Sequence, residues 1–241
     1  MTVTLRRCDQ GTEMALTRKS CCLALAILVP ICFSELANAR DPERGVEFSI
    51  LWSSFFGGDS GPTVPGGPLE PETRYQDTFG PGFGVTAQYF RQFHSNYRWQ
   101  AGLLYQNWPG EFFEGGELQP GREFGAGGKF DDLTITGVYG GITAIRQPGA
   151  KLRPFASIDL AIVRLPELSV VVSGESRPYW KGTLKDYLLI KGGVDYEISA
   201  TTTLTLDAGF SVLGQPESVN IYSSGTAGSA LVVGIGVSYR F

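Results

Sequence analysis

Apolar and polar residues alternate along the last eleven residues of the chain, 231–241. Every second residue is apolar, and this face ends in two aromatic residues, Tyr239 and Phe241. The residues between them are small or polar and end in Arg240. Because successive side chains of a β-strand point to opposite faces, the pattern predicts a strand with one apolar and one polar face.

The same alternation recurs in seven earlier segments, so the chain is predicted to form eight strands. In each strand the more apolar face is assigned to the outside. In the fourth strand, this outward face is formed by Leu133, Ile135 and Tyr139. The predicted strands cover residues 46–56, 83–93, 97–108, 132–145, 153–165, 186–198, 203–213 and 231–241.

Short and long connections alternate between the predicted strands. The short turns lie at 94–96, 147–151 and 199–202, and the long loops lie at 57–78, 109–128, 166–179 and 214–228. This alternation is typical of an even-stranded barrel whose two rims carry connections of different length. Lipid tolerates no unpaired backbone, so a membrane protein without long apolar helices must be a closed barrel. We therefore predict an all-β fold, an eight-stranded antiparallel up-and-down transmembrane β-barrel.

The first residues of the chain have the order of a secretory signal peptide. Arg18 and Lys19 precede an apolar stretch at 21–33, which is short for a membrane-spanning helix. A cleavage site of the A-x-A type follows at 37–39. We therefore expect residues 1–39 to be a cleaved signal peptide.

Cleavage after Ala39 would leave residues 40–241 as the barrel domain. The chain offers two start positions for the signal peptide, Met1 and Met14. All four cysteines precede residue 40, so the barrel domain is expected to hold no disulfide and no cysteine-based metal site.

The inward face of the predicted barrel carries both charge signs, and Thr134 and Thr136 are assigned to the same face. Eight strands enclose a lumen just wide enough for side chains, and buried charges must pair to be tolerated. The pattern favours a polar plug over a gated narrow channel or a proton-linked site. The expected lumen ion network consists of Glu47, Arg98, Asp159, Lys191, Asp195, Asp207 and Arg240.

The barrel domain has 16 basic and 21 acidic residues, and this net charge of −5 argues against nucleic-acid binding. Its long loops are rich in glycine, proline and glutamate. In the second loop, Trp108, Phe112 and Phe113 form an apolar group that is expected to contact a partner or the lipid interface. Clustered metal ligands are missing from the sequence pattern, so we expect no metal and no cofactor.

The ending at Tyr239 and Phe241, the signal peptide, the strand count and the loop alternation together resemble the small outer-membrane barrel superfamily. This group contains the OmpA transmembrane domain and the Ail/OmpX-type proteins. The resemblance implies the outer membrane of a Gram-negative bacterium, with both ends of the domain in the periplasm. It also implies that the terminal aromatics are a signal for the barrel-insertion machinery, and that outer-membrane lipid and lipopolysaccharide are partners.

The leading functional hypothesis is a non-enzymatic outer-membrane barrel that acts in envelope integrity or surface interaction through four long extracellular loops. One alternative is a lipid A-modifying enzyme of the PagL type, for which His94 and Ser95 are the candidate pair. However, this pair lies in a predicted short turn, on the side opposite to the outer leaflet. A narrow pore and a soluble lipocalin-like carrier are the remaining alternatives.

Overall fold

Eight long antiparallel strands pair in a closed ring. The computed structural model describes residues 43–61, 73–113, 117–119, 122–123, 128–146, 150–172, 174–217, 219 and 226–241. The long strands are β1 (Arg44–Gly57), β4 (Gly82–His94), β5 (Tyr97–Trp108), β10 (Leu133–Ile145), β11 (Leu152–Leu165), β14 (Thr183–Glu197), β15 (Thr202–Leu213) and β16 (Gly228–Arg240). Around the ring their order is β1-β16-β15-β14-β11-β10-β5-β4.

Shorter elements lie between the long strands. They are β2 (Asp59–Gly61), β3 (Thr73–Arg74), α1 (Tyr75–Thr78), β6 (Phe112–Phe113), β7 (Glu117–Gln119), β8 (Arg122–Glu123), β9 (Gly128–Phe130), β12 (Leu168–Val172) and β13 (Glu175–Trp180). Among the described residues, no helix is long and apolar enough to cross a membrane.

The barrel and its additions belong to one compact unit, Pro42–Phe241. The other unit, Met1–Asp41, contains the predicted signal peptide with its cleavage site and both candidate start positions, and lies outside the described residues.

The pairing of the first and last long strands closes the barrel. Gly45 of β1 lies opposite Arg240 of β16, and the register continues without a shift to Phe55 opposite Ala230. The other edge of β1 pairs with β4 from Arg44 opposite Arg91 to Ser53 opposite Gly82. Closure leaves no exposed sheet edge in the ring, which is the condition for placing strands in lipid. The eight-stranded antiparallel barrel is therefore confirmed.

The two rims of the barrel differ. The rim that carries the connections after β4, β10 and β14, and also Arg44 and Arg240, is called the turn end. The opposite rim, where the short elements lie, is called the loop end. Four strands of the loop end form a second sheet in the order β13-β12-β9-β6. We call these four strands together with α1 the cap.

Most predicted outward faces are confirmed. On β1, Phe48 is 63% exposed and Ile50 is 61% exposed, whereas Glu47, Ser49 and Leu51 between them are buried. The same alternation runs through all of β11, where every second residue is buried. An apolar exterior around a filled interior is the reverse of a soluble carrier barrel, in which the apolar face lines the cavity.

The prediction for β10 is wrong: its two faces are exchanged. Leu133 and Ile135 are fully buried inside the barrel, and Tyr139 points inward, where its hydroxyl donates to Gln88. Thr134 and Thr136, which were assigned to the lumen, lie on the outward face instead. The interior is apolar near the loop end, so apolar residues on a strand do not always mark the lipid-facing side.

Inward-facing glycines make room for the larger side chains opposite them. Gly141 of β10 lies directly against the carboxylate of Asp159, and a Cβ atom at this position would collide with it and with the backbone of Ile158. Gly174 lies in the turn between β12 and β13 with φ of +82°, a conformation that glycine adopts readily.

Candidate functional site: the barrel interior and the cap

Inward-facing side chains divide the barrel interior into two halves. The polar half, next to the turn end, is lined by Glu47, Gln88, Arg98, Gln100, Tyr139, Arg153, Asp159, Lys191, Asp195 and Asp207. The apolar half, next to the loop end, is lined by Leu51, Phe55, Leu104, Trp108, Leu133, Ile135, Val163, Leu165, Leu189 and Leu213. Strand alternation brings both sets inside because every second residue faces the lumen.

Arg98 of β5 forms a central cation of the polar half. Its guanidinium lies 3.4 Å from a carboxylate oxygen of Asp195 and 3.6 Å from one of Glu47. The ring of Phe90, with its centroid 5.0 Å from the guanidinium carbon, covers one face. The Thr205 hydroxyl also donates to Asp195 at 2.9 Å. Three predicted lumen residues, Glu47, Arg98 and Asp195, therefore meet in one cluster.

Arg153 of β11 extends this cluster toward the turn end, and it is absent from the predicted network. It lies 4.0 Å from Asp195 and 3.7 Å from Glu43. Glu43 also pairs with Arg240 at 3.2 Å, and Arg240 pairs with Glu197 at the same distance. Arg153 shares the face of Asp159 on β11, so following the alternation from Asp159 toward the turn would have found it.

The middle of the polar half holds a separate set of contacts. Lys191 lies 3.4 Å from Asp207. Asp159 accepts a hydrogen bond of 2.6 Å from the Gln100 amide, whose oxygen accepts one of 2.7 Å from Thr143. Within the described residues, Asp159 has no cation at ion-pair distance. The structure thus divides the predicted ionic residues into three sets rather than one network: the Arg98 cluster, the Lys191–Asp207 pair and Asp159.

The polar half contains a small cavity at the turn end. A cavity of about 10 Å³ lies among Glu43, Arg98, Arg153 and Arg240. This volume is close to the smallest that holds one water molecule. Paired charges in so small a space act as a rigid polar filling, since each ion would have to give up a partner before another ion could pass.

The apolar half is filled by fully buried side chains from several strands. Trp108, Leu133, Leu165 and Leu213 are each at most 1% exposed. Polar side chains also lie within this layer, where the Tyr187 hydroxyl donates to the Gln106 amide oxygen at 2.7 Å. Burying an aliphatic or aromatic side chain contributes roughly 1.5–3 kcal/mol to folding, so this layer is a core in its own right.

The cap continues the apolar half beyond the rim. The ring centroids of Phe55 and Trp108 are 5.0 Å apart, and Tyr75 of α1 lies 4.8 Å from Phe55 and 5.7 Å from Trp180 of β13. Phe130 of β9 and Val170 of β12 pair across the second sheet. The lumen core and the cap therefore share one continuous aromatic cluster.

Hydrogen bonds hold the cap to the strand ends. The Trp180 indole donates to the Ser60 carbonyl at 3.1 Å, and the Asp131 carboxylate accepts from the Ser169 amide at 3.1 Å. The Asp132 carboxylate accepts from the Gly110 amide at 3.0 Å. Short acidic side chains thus satisfy backbone donors where the chain leaves the barrel strands.

Two cap tyrosines have perturbed acidity. Burial raises the pKa of Tyr179 to about 12. Burial also raises the pKa of Tyr75, with further contributions from Tyr179 and Asp59. Both phenols are therefore neutral at physiological pH, as expected in a dry protein interior.

The apolar group predicted in the second loop is divided by the structure. Trp108 is fully buried in the apolar half, so its prediction as a surface contact is wrong. Phe112 is 76% exposed, with the Lys129 ammonium 5.3 Å from its ring centroid. The Phe113 side chain lies outside the described residues. The alternation along β5 could have predicted this burial, because Trp108 lies on the same inward face of the strand as Arg98 and Gln100.

The candidate catalytic pair lies at the turn end. His94 ends β4, and the Ser95 hydroxyl is 3.4 Å from its Nδ1 atom. Both residues are exposed, and Ser95 also donates to the Asn96 amide oxygen at 2.8 Å. Among the described residues, no carboxylate accepts a hydrogen bond from His94 that would orient it as a base for Ser95. In the part of the chain that the structure describes, no group of three or more His, Cys, Asp or Glu side chains could hold a metal ion.

The terminal aromatics lie on the outward face of the turn end. Tyr239 is 51% exposed and Phe241 is 60% exposed, and their rings stack with centroids 6.5 Å apart. Tyr89 and Trp99 form another aromatic pair on the same rim, with centroids 5.4 Å apart. Aromatic rings at this height are typical of the girdles of membrane barrels.

Comparison with known proteins relates the chain to solved structures. No family model matches it, and no curated protein matches it. The chain is similar to the outer membrane protein OprG of Pseudomonas aeruginosa, with a TM-score of 0.52 and 9% identity over 85% of this chain and 98% of OprG. It also matches Neisserial surface protein A, with a TM-score of 0.48 and 11% identity over 85% of this chain and 99% of that one.

A further match is Ail, the attachment invasion locus protein of Yersinia pestis, with a TM-score of 0.43 and 12% identity over 84% of this chain and 100% of Ail. At these identities the likeness concerns the fold alone, and of these three structures OprG has the highest TM-score. The chain has the fold of the small outer-membrane β-barrels, which confirms the resemblance seen in the sequence.

Proposed function

We propose that this protein is a non-enzymatic barrel of the Gram-negative outer membrane that acts at the cell surface through its cap. The observation that carries the proposal is the folded cap itself. Strands β9, β12 and β13 pair into a sheet whose aromatic core is continuous with the barrel interior. A surface that is already ordered can bind a partner without the entropic cost of ordering a loop.

The proposed location rests on the exterior of the barrel. Large apolar side chains such as Phe48, Ile50 and Leu103 are exposed around the ring, and a soluble monomer rarely exposes such a continuous apolar surface. In the proposed orientation the turn end, with both ends of the barrel domain, lies in the periplasm. The cap then lies outside the cell, and the lipid-facing exterior of the barrel below it contacts lipopolysaccharide.

The proposed mode of action excludes conduction through the lumen. The polar half holds ion pairs and hydrogen-bonded polar side chains and the apolar half holds buried apolar side chains, so an ion would cross two unfavourable regions in series. We therefore expect planar-bilayer recordings of the purified barrel to show no discrete conductance steps, and regular steps would contradict this part of the proposal.

The chemistry of the proposed partner follows from charge. The connections of the loop end, 57–81, 109–132, 166–182 and 214–227, carry 13 acidic and 5 basic residues. A field of one sign steers ligands of the opposite sign and disfavours polyanions. The proposed partner is therefore a positively charged surface or a protein with a basic patch, and nucleic acid is not a proposed ligand.

Epitope insertion tests the orientation. A tag is inserted at Gly174, which is exposed and where a Cβ atom would meet no described atom within 4 Å. The matched control carries the same tag between Ser95 and Asn96 of the turn end. We expect antibodies to label intact cells only for the first insertion, and the control only after permeabilisation. The opposite labelling would invert the proposed orientation.

Neutralisation of surface carboxylates tests the surface role. Asp77, Glu111 and Glu175 are exposed carboxylates of the loop end that are changed together to Asn or Gln. In cells lacking the protein, this triple variant is expected to restore membrane resistance to detergent but to lose binding to cationic surfaces. Full restoration of binding would contradict the proposal. Loss of detergent resistance would favour a role in envelope integrity instead.

We also propose that the protein does not modify lipid A. His94 and Ser95 form the pair that an esterase mechanism would need, and the proposed orientation places them on the periplasmic side. We expect His94→Ala to leave the acylation pattern of lipid A unchanged in mass spectra. A pattern that changes with His94→Ala, but not with Tyr97→Phe, would support the enzymatic alternative.

The terminal aromatics are proposed to act in assembly. Tyr239 and Phe241 are exposed on the last strand, where the barrel-insertion machinery can contact them. Deletion of Phe241 is expected to lower the amount of heat-modifiable barrel in the outer membrane without changing the urea midpoint of the molecules that do assemble.

A further inference from the structure

Two arginines lie side by side on the outward face of the turn end. Arg44 of β1 and Arg91 of β4 are directly opposite each other in the antiparallel register. They share the outward face with Val46 and Tyr89, the next pair along the same strands. Cross-strand partners have Cβ atoms roughly 4.5–5.5 Å apart, so two cationic side chains leave the backbone from neighbouring positions on this face.

Neither arginine has an acidic partner among the described residues. The inward arginines of the same rim, Arg98, Arg153 and Arg240, each pair with at least one carboxylate. Like charges directly opposite each other destabilise a sheet. The outward pair is therefore left with an unbalanced positive charge that an anion from outside the protein can neutralise.

Aromatic residues lie on both sides of the arginine pair. The guanidinium carbon of Arg44 lies 5.6 Å from the centroid of Phe241. Arg91 lies opposite Trp99 on its other side, and the Trp99 ring packs with Tyr89. The two cations thus lie within one row, between aromatic residues that favour the interface between lipid tails and headgroups.

We infer that Arg44 and Arg91 bind the phosphate group of an anionic glycerophospholipid in the leaflet around the turn end. This inference rests on the proposed membrane location. A guanidinium presents a planar fork of donors that matches phosphate oxygens, and two adjacent forks can hold one phosphate from both sides. The lipid tails then lie along the apolar exterior beside Val46 and Phe48, whereas a free phosphate would gain no such contact.

Native mass spectrometry of the barrel released from bilayers tests the inference. The bilayers contain equal amounts of phosphatidylglycerol and phosphatidylethanolamine. We expect the wild-type chain to retain one phosphatidylglycerol, and the double variant Arg44→Gln, Arg91→Gln to retain it about tenfold less, since each charged hydrogen bond contributes to affinity.

The matched control is Arg146→Gln with Lys151→Gln. Both residues are exposed and basic at the same rim, but they are not cross-strand partners. We expect this control to retain the lipid as the wild type does. Equal loss in both double variants would mean diffuse charge attraction, and equal retention would mean no site; either result overturns the inference. Displacement of the lipid by millimolar inorganic phosphate, but not by sulfate, would also overturn the choice of a lipid.

Stability gives a second readout that does not depend on lipid release. In an uncharged detergent, the Arg44→Gln, Arg91→Gln variant is expected to unfold at the same or a higher urea concentration than the wild type, because repulsion is removed. In phosphatidylglycerol vesicles the order is expected to reverse. An unchanged order in both media would overturn the inference while leaving the proposed function intact. A wild-type chain that forms no heat-modifiable barrel in bilayers would overturn both.

Discussion

The two halves of the barrel interior are stabilised in opposite ways. In the polar half, Arg98, Glu47 and Asp195 are buried charges that are tolerated because each meets an opposite charge. In the apolar half, side chains such as Trp108 and Leu133 are buried because they leave water. The polar half depends on specific pairs, whereas the apolar half depends on filled volume. The comparison predicts that the two halves respond differently to the same kinds of substitution.

Removal of one buried charge should have the largest effect. Asp195→Ala leaves Arg98 and Arg153 without their shared carboxylate in a buried site. We expect the free energy of unfolding to fall by about 3–5 kcal/mol, as when one partner of a buried pair is removed. Urea-induced unfolding in lipid vesicles measures the change. The control Asp77→Ala removes an exposed carboxylate and should change little, and a loss below about 1 kcal/mol for Asp195→Ala would mean that the pairs are weak.

Adjacent substitutions on β10 test the boundary of the apolar half. Ile135→Ala opens a cavity beside fully buried neighbours and should lower the free energy of unfolding by about 3 kcal/mol. Thr136→Ala changes an outward-facing residue and should have an effect within about 0.5 kcal/mol. The same urea experiment compares the two variants. A larger effect for Thr136→Ala would restore the face assignment that the sequence pattern predicts.

The wrong face assignment for β10 shows what the alternation of apolar and polar residues can predict and what it cannot. The strands and turns followed from alternation, because the outward face of most strands is continuously apolar, as along β16. On β10, apolar residues occupy both faces: Leu133 and Ile135 point inward, while Val138 points outward. Alternation fixes two faces but not which one meets lipid. That choice depends on how the other strands fill the lumen at the same height.

The cap was missed for a related reason. Residues 166–179 and 109–128 were predicted as loops, yet they contain β12, most of β13, β6 and the first residue of β9. The residues that pack the cap, such as Phe79, Phe130 and Trp180, are distant in sequence and do not recur at a regular spacing.

Within the polar half, Arg98 and Asp195 could be predicted from their charge and from their position on the inward face of their strands. Their exact pairing could not, because it depends on strand register across the ring.

Alkaline pH should weaken the cap through the buried phenol of Tyr179. The pKa of Tyr179 is raised from 10.0 to about 12, so the phenol ionises in the unfolded chain before it does in the folded one. Its contribution to stability is present below pH 10 and is lost as the pH rises toward 12. We expect Tyr179→Phe to remove up to about 2 kcal/mol of this pH dependence.

Urea midpoints of wild type and Tyr179→Phe, measured at neutral pH and again in the alkaline range, test this prediction. All other groups are the same in the two proteins, so their contribution cancels in the difference. Parallel pH profiles for the two proteins would show that Tyr179 is not buried in the cap.

An exposed ion pair should have the smallest effect. Lys185 lies 3.1 Å from Glu217 near the loop end, and Lys191 lies 3.4 Å from Asp207 in the polar half. Despite similar distances, Lys185→Ala should lower the free energy of unfolding by less than about 1 kcal/mol, because solvent screens the pair. Lys191→Ala should lower it by about 3 kcal/mol, because Asp207 is left buried without its cation. Equal effects would mean that burial does not decide the strength of these pairs.

Amide hydrogen exchange of the bilayer-embedded protein tests the central claim, which is that the loop end is a folded cap rather than a set of independent loops. The amides of Val170 and its β9 and β13 partners, Phe130 and Arg177, lie in the second sheet, and the Asp131 amide donates to the Ser169 carbonyl at 3.0 Å. We predict that these segments exchange orders of magnitude more slowly than unstructured peptides, and that Trp180→Ala accelerates them while the β1–β16 pairing stays protected. Exchange of β9, β12 and β13 at the rate of an unstructured chain in the wild type would contradict the account.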